Sequence, residues 1–306
     1  MIFQILLNAL ALGAAYALLA LGFVLIVNAT SAVNFAQGDM VMAGGYVAIA
    51  VATFIPLPGI ALLPFVLIAM VILGLAFSLL AYFPLKDRPP VAVFVSTIAL
   101  GIVLQNTANV LAGAAPRIAP PLFSGGQFAF AGANIPLQSV AVVAVAALLI
   151  AGQWWLFAHT AIGRELRATA QDRVMAEALG IRVNRMIALT FGLAAALAGA
   201  AGLLLANTFF VSPTDGTNYI IKAYIAVTIG GWGSLTGAVL GALLIALFEV
   251  IYPQIPLLVS PAGASAPWTQ AVFSQTTGTI VLYVVVLAIL FVRPQGIFGE
   301  LAQRRA

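Results

Sequence analysis

HTAIGRELRATAQDRVMAEALGIRVNR, residues 159–185, is the stretch of this chain that reads like soluble protein, and what surrounds it decides the fold. It holds five of the 12 Lys and Arg residues (Arg164, Arg167, Arg173, Arg182, Arg185) and three of the 8 Asp and Glu residues (Glu165, Asp172, Glu177). On both sides the chain is hydrocarbon punctuated by glycine. Of 306 residues, 63% are hydrophobic and 7% charged, against roughly 25% charged in soluble domains; the mean hydropathy is +1.15. A helix crosses the hydrocarbon core with about 20 apolar residues, and backbone polar groups in lipid must be satisfied inside a helix or a closed barrel. The apolar runs here are long and lack strict alternation, which selects helices. The class is therefore an all-α polytopic membrane protein, with 1–306 forming a single transmembrane domain.

Charge placement sets the expected orientation. Lys86 and Arg88, the five arginines above, and Arg293, Arg304 and Arg305 make up ten of the 12 basic residues. Lys and Arg in short loops collect on the cytoplasmic side. The loop at 86–88, the connector at 158–185 and the tail at 293–306 are thus assigned to the cytosol. No clustered basic stripe with interleaved aromatics is present, so nucleic acid is not an implied partner. The absence of cysteine excludes disulfide and thiolate chemistry. The chain opens apolar without a basic segment, and the run at 2–27 is too long for a signal-peptide core, so it is expected to stay as a membrane helix.

The first span, about 3–27, ends at NATSAVNFAQGD (28–39). Irregular backbone at membrane depth is tolerated only beside protein or a water-filled cavity. A broken helix is expected there, with Asn34 and Gln37 as candidates for a translocation path. Further elements are expected at 40–54, 60–83, 91–111, 137–157 and 186–210. One more carries Lys222 and ends at GGWGS (230–234), another reaches 252, and the last covers 276–292. That makes about eight to nine membrane helices, some of them half-crossing.

In the 91–111 span, Thr97, Gly101, Gln105 and Asn109 recur every four residues and share one helix face. Two readings stand for Thr97, Gln105 and Asn109: hydrogen bonding between helices, on the order of 1 kcal/mol or less per pair, or the lining of a path. Gly233, Gly237 and Gly241 show the small-residue spacing of tight helix packing.

The halves echo each other weakly. In each, a Gly- and Ala-rich helix leads to a polar break with an aspartate, Asp39 or Asp215, and then to a double glycine, Gly44 and Gly45 or Gly230 and Gly231. Interrupted segments at matching positions are the mark of inverted repeats in transporters. Intramembrane charge is a functional candidate by default. Asp39 and Asp215, beside Gly38 and Gly216, are expected to cap helix N-termini, and Lys222 and Glu249 to pair.

Several chemistries are excluded. A phosphate-binding loop needs glycine before its lysine, yet Lys86 follows Leu85 and Lys222 follows Ile221. The chain therefore does not itself hydrolyse nucleotide, and no nucleophile or metal motif marks it as an enzyme. In the connector, Leu166, Ala170, Val174 and Ala178 recur every four residues, which predicts one short amphipathic helix stopped by Gly180. Such a helix either lies on anionic lipid, worth about 1 kcal/mol per basic residue, or docks a cytosolic partner; its mixed charge favours protein.

At this connector the chain resembles the permease subunits of branched-chain amino acid importers in the ATP-binding-cassette superfamily, and within them the LivH type. GRELRATAQDRVMAEALGIRVNRMIALTFGLAAALAGAAGLLL (163–205) is similar to the family's cytoplasmic loop and following helix, and AEALG (176–180) to the segment that contacts the ATPases. LGAAYALLALGFVLI (12–26), VNFAQGDMVMAGGYVA (33–48), GGWGSLTGAVLGALL (230–244) and RPQGIFGE (293–300) agree as well. The resemblance implies a multi-pass subunit of the bacterial inner membrane with a cytoplasmic C-terminus. It implies as partners a second permease subunit, two cytosolic ATPase subunits that bind the ATP, and an extracytoplasmic solute-binding protein, with no cofactor in the permease. Carried onto this chain, the ATPase-coupling residues are Arg167, Asp172, Ala176, Glu177 and Gly180. PLKDRPP (84–90) departs from the family's more arginine-rich first loop, which weakens a docking role there. A stand-alone channel or facilitator for a small neutral solute such as urea or an amide is the alternative.

Overall fold

The structure is a computed structural model and describes residues 2–55, 57–123, 125–130, 133–259, 267–293 and 296. Its helices are α1 (Ile2–Thr30), α2 (Gln37–Phe54), α3 (Gly59–Phe77), α4 (Pro90–Ala112), α5 (Leu137–His159), α6 (Ala161–Gln171), α7 (Arg173–Ala178), α8 (Val183–Ala206), α9 (Gly216–Gly230), α10 (Leu235–Ile251), α11 (Ile255–Val259), α12 (Pro267–Val272) and α13 (Gln275–Val292). Among the described residues, α1, α4, α5, α8 and α13, with α3 continued to Leu85 and α10 continued to Leu257, are long and apolar enough to cross a membrane, and α2 and α9 lie beside them without meeting both conditions. The loop between α4 and α5 forms a small antiparallel hairpin, β1 (Gln127–Phe130) with β2 (Ala133–Pro136), which the apolar pattern does not foretell. The expected tail at 293–306 lies outside the described residues except for Arg293 and Gly296.

Two helices make the core. The central windows of α1 and α8 are 83% buried, whereas those of the other five long helices are 17–33% buried. A helix that is apolar around its whole circumference belongs inside, and the apolar faces left outside on α4 and α13 match a lipid solvent. Small residues let the backbones close. A Cβ on Gly44 would strike the backbone of Gly199, and one on Gly202 the carbonyl of Val41, so α2 and α8 touch main chain to main chain.

The expected inverted symmetry appears as an exchange of partners. α1 packs on α10 as α8 packs on α3, while α2 lies against α8 and α9 against α1. The break after α1 is where the polar residues put it, with Ser31 at φ 52 and α2 starting at Gln37. The first turns of α2 and α9 meet, because a Cβ on Gly38 would collide with the Gly216 carbonyl.

Basic residues gather at one end of this bundle. Lys86 Nζ donates to Asn184 Oδ1 at 3.4 Å, joining the loop after α3 to the start of α8 beside the connector. Gly296, just past Arg293, sits against Gly231 at the foot of α9. Arg117 lies at the opposite end, paired through its backbone with Val211.

Two local expectations fail. The connector is not one helix: Asp172, at φ −155 and ψ 110, is extended and splits it into α6 and α7. The four-residue stripe breaks there, leaving Leu166 buried and Val174 80% exposed. Nor do the aspartates cap as expected. Asp39 sits inside the first turn of α2, whose N-cap position is Ala36. Asp215 stands before α9 but turns back, its Oδ2 accepting the Ser212 N–H at 2.6 Å.

Candidate functional site

The connector is built from caps. Thr160 Oγ1 accepts the Gly163 N–H at 3.0 Å and starts α6, a use of threonine that satisfies a first-turn donor. α6 then buries Gly163, Leu166 and Thr169, one turn apart. Arg167 Nη1 donates to the Phe157 carbonyl, tying α6 back to the end of α5. Asp172 Oδ1 accepts the Met175 N–H at 3.0 Å and starts α7. At the far end, Gly180 adopts φ 82. Its N–H goes to the Glu177 carbonyl at 2.9 Å and the Ile181 N–H to the Ala176 carbonyl at 3.0 Å. This paired closure needs a left-handed residue, which glycine supplies without Cβ strain.

Between these caps α7 has two faces. Ala176 is buried against the bundle. Val174, Met175 and Leu179 are exposed, Leu179 at 74%, with Glu177 exposed beside them. Of the residues singled out by sequence, Arg167, Asp172 and Gly180 thus shape the connector, while Ala176 seats it and Glu177 faces outward.

Arg173, which sequence reasoning counts only as a charge, ties α7 to the core. Its Nε and Nη2 donate to the Ala29 carbonyl at 3.1 and 2.7 Å, and its Nη1 to Tyr82 Oη at 3.2 Å. Ala29 lies in the last turn of α1, where carbonyls lack helical partners. Tyr82 ends a single π-helical turn, Ser78–Tyr82, that continues α3; such turns gather at functional positions. One guanidinium therefore joins the connector, the rim of the α1–α2 break and the foot of α3.

The break itself holds a polar network. Asn34, Gln37 and Thr97 are 1%, 0% and 0% exposed. Asn34 Oδ1 accepts the Ala36 N–H at 3.1 Å, and Asn34 Nδ2 donates to Gln37 Oε1 at 3.3 Å. Gln37 Nε2 donates to the Ala194 carbonyl of α8 at 3.0 Å. Thr97 Oγ1 accepts the Phe35 N–H at 3.2 Å, and Gln105 Nε2 donates to Asp39 Oδ1 at 2.8 Å. In this conformation the face of α4 bearing Thr97 and Gln105 is thus joined to the break by hydrogen bonds, as buried polar groups require. Asn109, one turn further along, is exposed and outside the network.

The three spaced glycines take different places. Gly237 and Gly241 face α9, where added Cβ atoms would strike the carbonyls of Gly230 and Ala226. Gly233, at φ 83, lies in the turn before α10, and its carbonyl accepts from Asn28 Nδ2 at 3.0 Å.

A core of paired broken helices with a capped, core-linked connector defines an integral membrane transport permease. Residues 5–291 match the family described as branched-chain amino acid transport system / permease component, and the chain belongs to that family. It is 31% identical to the high-affinity branched-chain amino acid transport system permease protein BraD of Pseudomonas aeruginosa, over 97% of this chain and 95% of that one. With the corresponding permease protein LivH of Escherichia coli it shares 28% identity over 96% of this chain and 94% of that one. A solved structure, PsaBC from Streptococcus pneumoniae in complex with Fab, has the same fold at a TM-score of 0.50 and 16% identity, covering 94% of this chain and 91% of that chain. The chain is therefore a multi-pass transport subunit and not an enzyme, and the stand-alone facilitator is disfavoured.

Proposed function

We propose that this chain is the transmembrane permease subunit of an ATP-driven importer for branched-chain or related amino acids, coupled to separate ATPase subunits through α7. The observation that carries the reading is the outward face of α7: Val174, Met175 and Leu179 stand exposed on a helix fixed at both ends. Burying each such side chain in a partner groove contributes about 1.5–3 kcal/mol, which gives the exposed apolar face a purpose. The face toward the ATPase takes Val174 from the four-residue stripe and adds Met175 and Leu179, while Leu166 stays in the core.

The full assembly comprises a second permease subunit, two cytosolic ATPase subunits that bind the ATP, and an extracytoplasmic solute-binding protein. Lys86, Arg88, the connector arginines and Arg293 occupy the connector end, so the bias of basic loops toward the cytosol orients the chain in the inner membrane with its C-terminus inside. ATP-driven closure of the ATPases shifts α7. Arg173 passes the shift to the last turn of α1 and to Tyr82, and the break between α1 and α2 changes shape. Gln105, Asp39, Asn34, Gln37 and Thr97 then exchange their present bonds as the path opens.

Co-purification of the ATPase subunits with a Val174→Asp/Leu179→Asp variant tests the docking face. Two buried charges in an apolar contact should abolish capture and uptake while the permease remains in the membrane. Full capture and full uptake would refute the assignment.

A further inference from the structure

At the end of the bundle opposite the connector, an open cavity of about 600 Å³ lies between α1, the end of α8, α9, α10 and α13, and no step described above uses it. Lys222 and Glu249 meet on its wall at 2.5 Å, with side chains 23% and 16% exposed. Tyr16 Oη accepts from Lys222 Nζ at 2.6 Å and donates to Glu249 Oε2 at 3.2 Å. The pair as drawn is a satisfied intramembrane ion pair, the arrangement that lone charges in membrane helices require. Four features give it more than a packing role. Both ions remain partly open to the cavity. Lys222 has three donor hydrogens and Glu249 about four acceptor positions, more than these contacts consume. Asp215, in front of α9, and Asn218, in its first turn, open on the same space and continue the polar wall beside the pair. Finally, Leu205, Phe210 and Val250 form an apolar wall beside the charges.

We infer that this cavity is a binding site of the permease itself for a zwitterion carrying an apolar side chain, Lys222 taking its carboxylate and Glu249, with Asp215 on the same wall, its ammonium. A simple anion would be repelled by the carboxylates of Glu249 and Asp215, and a simple cation by the ammonium of Lys222. The inference deepens the importer reading and names a point of solute selection outside the solute-binding protein. A zwitterionic lipid headgroup offers the same pair of charges, and the experiment separates the two sources.

The chain has no cysteine, so Gln275→Cys, exposed at the cavity rim, gives its single thiol. The permease pair with its ATPases, otherwise free of cysteine, is placed in vesicles of phosphatidylglycerol without the solute-binding protein, and labelling by a water-soluble maleimide is timed. At a concentration about fourfold above its Kd, leucine should slow labelling about fivefold, following 1 + [L]/Kd. Leucinamide and 4-methylpentanoate, each lacking one of the two charges, should protect far less. Lys222→Met/Glu249→Gln, which removes both ions and leaves neither unpaired, should lose the protection while remaining in the membrane. Equal labelling with and without leucine, equal protection by the two analogues, or protection that survives in the double variant would overturn the site. Slowing by added phosphatidylethanolamine but not by leucine would overturn it in favour of lipid. The importer reading fails separately, if the wild-type complex with its binding protein takes up no amino acid on ATP.

Discussion

Replacing Arg173 by alanine should separate ATP hydrolysis from transport. The guanidinium makes three hydrogen bonds, two to the Ala29 carbonyl and one to Tyr82 Oη, and is the charged link from α7 to the last turn of α1. A hydrogen bond to a charged group contributes about 1.5–3 kcal/mol. The group is half-buried, and two of the bonds share one acceptor, so about 2 kcal/mol is the reasonable loss of coupling. At 1.36 kcal/mol per tenfold, that is about a 30-fold fall in solute imported per ATP hydrolysed. The assay is reconstitution of the complete transporter in proteoliposomes, with labelled amino acid uptake and phosphate release followed in parallel. ATPase capture should persist, since Val174, Met175 and Leu179 are untouched. Arg173→Lys should restore part of the ratio, because one ammonium can reach the Ala29 carbonyl but cannot hold Tyr82 at the same time. A ratio close to that of the wild type in the alanine variant, with normal assembly, would refute the link.

Three further outcomes follow from the geometry. Gly44→Ala places a methyl against the Gly199 backbone and should lower thermal stability in detergent by about 1–3 kcal/mol, whereas Gly152→Ala, with nothing within 4 Å, should be neutral or slightly stabilising. Gln105→Leu leaves Asp39 without its 2.8 Å donor; a loss of about 1–3 kcal/mol is expected in the same unfolding measurement, with reduced uptake. Gly180→Ala meets no neighbour, so its effect is backbone strain alone, about 1–2 kcal/mol, and should appear as weaker ATPase capture rather than loss of the permease from membranes.

The bundle was legible in the sequence because hydropathy and length decide membrane helices almost alone. The break was equally plain, since Asn28, Asn34, Gln37 and Asp39 cannot stand in lipid without protein around them. The Lys222 and Glu249 pair followed from the expense of a single intramembrane charge. The division of the connector was harder to see. Spacing of Leu166, Ala170, Val174 and Ala178 fits one helix, and only the capping habit of Asp172 hinted at two. The role of Arg173 was out of reach: its acceptor is a backbone carbonyl 144 residues away, and carbonyls leave no trace in residue type. Asp39 misled for the opposite reason, because a cap and a buried first-turn carboxylate look alike until Gln105 is placed beside it.

The central claim, that this chain imports solute only when driven through α7 by partner ATPases, is tested most directly by uptake into proteoliposomes containing the permease with and without those partners. Accumulation against a gradient is expected only when the ATPases, ATP and the solute-binding protein are all present. Equal uptake by the permease alone, without ATP, would contradict the account.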